Sequence, residues 1–246
     1  MKAAPEAQKR LLDLAELDAG LDRFRHRRRT QPELAEIEEL SKSLARAATQ
    51  AIAAETEAGD LAREQAKAEA DVEAVRVRID RDQKRLDSGQ VTSPKDLASL
   101  QSEIASLDRR QGDLEEVVLE IMERREAADA QVADLKAQRD EAAATLAAAE
   151  ERRDAAFAEI DKEAAELQDR RPAIASDIPD DLLALYGKLR EQSGVGAAML
   201  HGGRCLGCRT TLSIADLNRI RAAAHDEVLR CEECRRILVR TAESGL

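Results

Sequence analysis

Four cysteines stand in two pairs, Cys205-Leu206-Gly207-Cys208 and Cys231-Glu232-Glu233-Cys234, with 22 residues between the pairs. Two residues between the members of a pair let one tight turn aim both sulfurs at a single ion. Two such turns complete a tetrahedron of thiolates ~2.3 Å from Zn2+. A catalytic zinc keeps one position open for water, so a full set of four sulfurs predicts one structural Zn2+ with Cys205, Cys208, Cys231 and Cys234 as ligands. A redox dithiol is the competing chemistry, but a thioredoxin-like site comes with a βαβ pattern that the flanking sequence lacks. His201 and His225 lie near the cysteines in sequence. Four thiolates leave them no place in the shell, so both are read as bystanders.

The segments around the pairs must bring them together. Glu227–Arg230 and Arg236–Arg240 alternate or run apolar and predict strands flanking the second pair. Ala197–Leu200 reads as a strand, Gly202-Gly203 as a turn, and Ser213–Ile220 as a short capped helix. The layout is that of a zinc ribbon. Ahead of it, Ile178-Pro179-Asp180-Asp181 opens a short helix carrying Leu182, Leu183, Leu185, Tyr186 and Leu189, which Gly194-Val195-Gly196 ends; Tyr186 is read as core or cap. So short a segment with few aromatics buries too little to fold unaided. A structural zinc supplies on the order of 10–16 kcal/mol.

The rest of the chain has another composition. Of 246 residues, 36% are charged and only 1% aromatic, with 11 Gly and 5 Pro. Such a chain lacks the bulk for an ordinary α/β enzyme core and the turns for a β-sandwich. Leu11, Leu14, Leu17, Leu21 and Phe24 recur at helical spacing, and Pro32 predicts a break near 30–32. From Ile37 to Leu86, and from Leu97 to Leu167, apolar residues recur in alternating steps of three and four, the signature of a coiled coil. Between these runs Gly89 can end one helix, while Ser93, Pro94 and Asp96 form the start of the next. The arms are nearly equal in length, which predicts an antiparallel hairpin. The alternative is a pair of parallel dimeric coils about a hinge. The predicted fold is mainly α: residues 1–172 a long antiparallel coiled-coil hairpin with its tip near 87–94, and residues 173–246 a short helix plus a small β-containing zinc ribbon with four cysteine ligands.

Gln111, Arg125, Arg139 and Arg153 recur every 14 residues at one seam position. A symmetric fold-back about the loop places Arg125 opposite the stretch Ala47, Ala51, Ala54, Ala58. There its stem could lie across the small side chains and its guanidinium reach Glu55 or Glu69. The alternative is that these arginines face water at a loose seam.

The net charge of −11 disfavours contact with nucleic acid or anionic lipid over most of the surface. Residues 195–246 differ, with eight Arg against six acids. Arg204, Arg209, Arg235 and Arg236 gather at the cysteine pairs as candidate contacts to RNA, DNA or a protein partner. No aromatic platform for stacking bases accompanies them. No stretch has the ~7–15 apolar residues of a secretory signal or the ~18 of a membrane span, so a cytoplasmic protein with no membrane role is expected. A two-helix hairpin has almost no concave volume for a small-molecule substrate.

The tip Gly89-Gln90-Val91-Thr92-Ser93-Pro94-Lys95-Asp96-Leu97, with Gly202-Gly203-Arg204-Cys205-Leu206-Gly207-Cys208 and Val228-Leu229-Arg230-Cys231-Glu232-Glu233-Cys234-Arg235-Arg236-Ile237-Leu238, resembles the bacterial C4-type zinc-ribbon coiled-coil family over essentially the whole chain. The family pattern has Gly directly after the last cysteine, where this chain has Arg235. The resemblance implies a non-enzymatic protein, similar to adaptors or chaperones of an alternative sigma factor and the flagellar system, or to RNA binders. The expected function is a zinc-binding adaptor or chaperone-like protein, a monomer or weak homodimer, with nucleic-acid binding through the ribbon arginines as the alternative.

Overall fold

A computed structural model describes residues 1–246. Prolines punctuate its long helices. Helix α1 (Pro5–Arg29) has Pro at its first turn, where a missing N–H costs nothing. It closes at Thr30, whose backbone N–H and hydroxyl both donate to the carbonyl of His26 at 3.0 Å. Helix α2 (Pro32–Asp87) starts two residues on, so the break expected at 30–32 is present. Helix α3 (Pro94–Ala175) opens with the Leu97 N–H donating to the Ser93 carbonyl at 3.0 Å. It continues through Pro172, so the expected boundary at 172/173 falls inside its last turn. Helix α4 (Asp180–Ser193) ends at Gly194, whose φ of 77° is open to glycine at little cost.

The contacts group the chain into two units, residues 35–150 and residues 1–34 with 151–246. In the first, α2 and α3 run antiparallel as a coiled-coil hairpin. Ala58 and Leu61 of α2 pack against Ala128 and Val132 of α3. The register differs from a symmetric fold-back. Arg125 faces Gln65, donating to its Oε1 at 3.2 Å, and its ion pair is with Asp129 of its own helix at 3.5 Å. The expected reach to Glu55 or Glu69 is therefore absent, and Glu55 instead pairs with Lys136 at 2.7 Å. Two other residues of the stripe bond within their own helix: Gln111 to Glu115, and Arg139 to Asp140.

In the second unit a four-stranded sheet carries the cysteines. Its strands are β1 (Ala197–His201), β2 (Arg204–Cys205), β3 (Leu229–Arg230) and β4 (Ile237–Val239), in spatial order β2-β1-β4-β3. Strands β1 and β4 pair in parallel, with Ala197, Ala198 and Met199 opposite Ile237, Leu238 and Val239; the outer pairs are antiparallel. Alternation along the strands splits the core. Ala197, Ile237 and Val239 pack with Leu11 and Leu14 of α1 and with Leu182, Tyr186 and Leu189 of α4. Ala198, Leu200 and Leu238 face the cysteines, with Leu212 and with Ile220 of helix α5 (Ile214–Ala222). The first residues also join this unit: the Ala3 N–H donates to the Asp226 carbonyl at 2.8 Å, and the Val228 N–H to that of Met1 at 3.1 Å.

A buried charge cluster ties α1, α3 and α4 together within the unit. Asp18 is only 2% exposed. It accepts from the Tyr186 hydroxyl at 2.8 Å and from Arg171 Nε at 2.9 Å, and Arg190 Nε lies 3.4 Å away. Arg190 also grips both carboxylate oxygens of Asp22, at 3.0 and 3.1 Å.

Candidate metal centre

Each cysteine pair sits on a turn built the same way. In the first, the Arg209 N–H donates to the Cys205 carbonyl at 2.7 Å, and the Cys205 N–H to that of Thr210 at 3.0 Å. In the second, the Arg235 N–H donates to the Cys231 carbonyl at 2.9 Å, and the Cys231 N–H to that of Arg236 at 3.0 Å. Both turns close through a residue in the left-handed region, Arg209 at φ 60° and Arg235 at φ 63°. These two positions favour glycine on steric grounds, and arginine holds them here. Gly207 serves a different need. A Cβ on it would lie 2.8 Å from that of Ala198, so glycine lets the first turn settle onto β1.

The two turns converge. The four sulfurs all lie within 4.8 Å of one another. Cys205 and Cys234 are 3.9 Å apart, as are Cys208 and Cys231. A tetrahedron with Zn–S bonds of ~2.3 Å has edges of about 3.8 Å, so the cluster has the dimensions of a zinc site. The donor set agrees, because four soft sulfurs select zinc and fill its coordination. One structural zinc ion fits.

The thiols differ as acids. Burial raises Cys205, and it pushes Cys231 up to about 12. Cys208 is held down to about 6, first by the Thr210 hydroxyl and then by backbone and neighbouring thiol hydrogen bonds. A metal binds thiolates, so loading this cluster releases protons. Thr210 escaped the sequence reading. A hydroxyl two residues beyond a CxxC pair is its only signal.

The ribbon's arginines divide into two groups. Arg204, Arg209 and Arg235 are exposed, and no side-chain partner engages them. Arg236 is instead a clamp, donating to the carbonyls of Val195 at 3.2 Å and Ser193 at 3.1 Å. Two further arginines, counted in the sequence among the eight of residues 195–246 but given no role there, organise the site. Arg219 of α5 pairs with Glu232 in the second turn at 2.6 Å. Arg240 donates to the carbonyls of Ile220 and Ala223 at 3.2 and 3.0 Å, closing the end of α5. His201 and His225 stand outside the sulfur cluster. His201 faces Glu243 at 3.8 Å, and the His225 carbonyl accepts from Gln8. No helix is long and apolar enough to cross a membrane.

Comparison with known proteins agrees with this geometry. Residues 14–194 match the CT398-like coiled coil hairpin domain, and residues 204–238 match the C4-type zinc ribbon domain. The protein Rv2229c of Mycobacterium tuberculosis is 40% identical over 240 residues, covering 98% of each chain. A solved structure from Mycobacterium smegmatis superposes with a TM-score of 0.86 at 37% identity, over 98% of this chain and 100% of that one. CT398 of Chlamydia trachomatis shares the fold, with a TM-score of 0.71 at 20% identity over 96% of this chain and 98% of its own. Neither matching domain family is described as catalytic. With its hairpin and its four-sulfur ribbon both matched, the chain belongs to the family of CT398-like coiled-coil hairpin proteins that carry a C4-type zinc ribbon.

Proposed function

We propose that this protein is a non-catalytic adaptor with chaperone-like character, which binds partner proteins through its hairpin and its ribbon. Cys205, Cys208, Cys231 and Cys234 hold one structural zinc ion. One observation supports the reading above others: the sulfur cluster offers four donors and no fifth position. A zinc held there has no site for an activated water, so its role is to fix the ribbon's surface. Exposed Leu206 in the first cysteine turn and Ile214 at the start of α5 give that surface apolar contact points. A cytoplasmic location and a monomeric or weakly dimeric state complete the proposal. Affinity capture from host extract, with the unaltered chain and with a full-length variant carrying Leu206→Ser and Ile214→Ser, tests it. Partners retained only by the unaltered chain and resistant to nuclease support the adaptor. Capture abolished by nuclease transfers the function to nucleic acid.

That second reading rests on Arg204, Arg209 and Arg235, three exposed guanidinium groups beside the cysteine turns without acidic partners. Phosphate contacts of this kind release counterions and make binding steeply salt-dependent. Titrating RNA and DNA at several salt concentrations, with these three residues changed to Gln, tests it. A salt slope that is flat, or unchanged in the variant, rejects the reading. Arg236 is a poor probe, because its loss would remove its contacts to the Ser193 and Val195 carbonyls.

A further inference from the structure

A groove of ≈ 440 Å³ opens on the ribbon side of α1. Three cationic side chains reach it from three parts of the chain, Lys9 of α1, Arg221 near the end of α5 and Arg240 beyond β4, with His225 also in the lining. No Asp or Glu side chain lines it. In a chain of net charge −11, one Lys and two Arg side chains lining one concavity are a local excess of cationic side chains. Low-dielectric walls focus such a field.

The charges are also largely uncompensated. Arg221 bonds only the neutral Asn218 amide, at 3.3 Å. Arg240 donates to main-chain carbonyls and meets no carboxylate, so it neutralises the negative end of α5 instead of being neutralised itself. Lys9 pairs with Glu6 at 2.9 Å, but Glu6 is 82% exposed and readily exchanged for another anion. The wall is fixed. Gln8 is 3% exposed, and its amide nitrogen donates to the Ala3 and His225 carbonyls at 2.9 and 3.4 Å. Exposed Pro5, Ala242 and Leu246 supply an apolar side.

We propose that this groove binds a small phosphate monoester, its phosphate held by Lys9 and Arg221 in the field of Arg240 and its organic part against Pro5 and Leu246. Several cationic side chains lining one groove suit a dianion better than a carboxylate, and a guanidinium fork matches phosphate oxygens. The volume exceeds what inorganic phosphate fills and falls in the range of small-ligand sites. The groove shares no residue with the sulfur cluster or with Arg204, Arg209 and Arg235, so it stands or falls independently of the adaptor reading.

Calorimetric titration of the zinc-loaded full chain tests this, with AMP as the monoester probe. AMP is expected to bind at one site, with adenosine and inorganic phosphate each at least about tenfold weaker. The variant carrying Lys9→Gln and Arg221→Gln changes two exposed side chains. It should lose about tenfold or more in AMP affinity while keeping its zinc and its melting temperature. Absence of saturable AMP binding overturns the proposal, as does equal binding of adenosine or undiminished binding by the variant. Inorganic phosphate binding as tightly as AMP overturns the ester assignment. Displacement of AMP by a 5′-hydroxyl oligoribonucleotide at lower phosphate concentration also overturns it, assigning the groove to a phosphodiester chain.

Discussion

The hydroxyl of Tyr186 donates to Asp18 over 2.8 Å, across 168 positions of sequence. Asp18 is buried, and Arg171 and Arg190 supply its countercharge. Removing the phenol oxygen leaves the carboxylate short of one donor in a dry site. Tyr186→Phe should therefore cost about 1–3 kcal/mol in denaturant unfolding of the unit formed by residues 1–34 and 151–246. Asp18→Ala strands two cations in place of one acceptor and should cost more, about 3–5 kcal/mol.

The same contact predicts a response to base. Burial, and then the hydrogen bond to Asp18, raise Tyr186 above its ordinary value of 10.0. Its folded value lies above its unfolded one, so the stabilisation is fully present below about pH 10 and is lost as pH rises beyond it. Tyr186 is the sole tyrosine and there is no tryptophan, so phenolate absorbance reports this one group. It should titrate late and together with loss of helicity. Ionisation in the ordinary range with the fold intact would contradict the buried contact.

Chelation should act on one layer of the sheet. The sulfurs pack with Ala198, Leu200, Leu212, Ile220 and Leu238, whereas Leu11, Leu14, Tyr186 and Ile237 belong to the other cluster. Metal removal is expected to release the cysteine turns and α5 to rapid hydrogen exchange, while amides of the α2–α3 hairpin stay protected. Uniform deprotection along the chain would show that the layers are not separable.

The turn arginines carry a steric cost. Arg235 holds φ 63° with an exposed side chain. Arg235→Gly should raise the ribbon's stability by up to about 1 kcal/mol, the relief of the left-handed strain less the added freedom of the unfolded chain. Arg236→Ala, one residue on, should lower it, because two carbonyl contacts disappear. Calorimetric melting of both variants with zinc bound checks the opposed signs.

At the hairpin seam, Arg125→Ala should change stability by less than about 0.5 kcal/mol, since its Gln65 and Asp129 contacts are half-exposed. Arg125→Leu adds apolar area near Leu61 and Ala128 and should raise the melting temperature. A large loss on Arg125→Ala would show that the residue sets the register.

Local chemistry was legible in the sequence wherever cause and effect lie close together. Residue spacing alone exposed the two cysteine pairs, the Pro32 break, the Ser93-Pro94 start of α3, the Ser213 cap and the heptads. Distant partners left no such trace. Asp18, Arg171, Tyr186 and Arg190 each look like ordinary helix residues, and only the fold brings them together. The parallel pairing of β1 with β4 was equally hidden, because a pairing of three residues carries too little pattern to specify a partner. The register of Arg125 failed for a related reason: the turn's length in residues does not fix the offset between two long helices. The role of Arg236 was unreadable because backbone carbonyls, its true partners, have no residue type.

Ile237 and Leu238 are neighbours in the chain, yet each is sealed into a different cluster. Moving this strand by one position would hand each cluster the residue meant for the other. Substitutions of similar size can be absorbed here, but an inserted or deleted codon cannot. The α2–α3 connection carries no such double obligation. Among diverging relatives, gaps should therefore accumulate at the hairpin tip and be purged between Arg235 and Arg240.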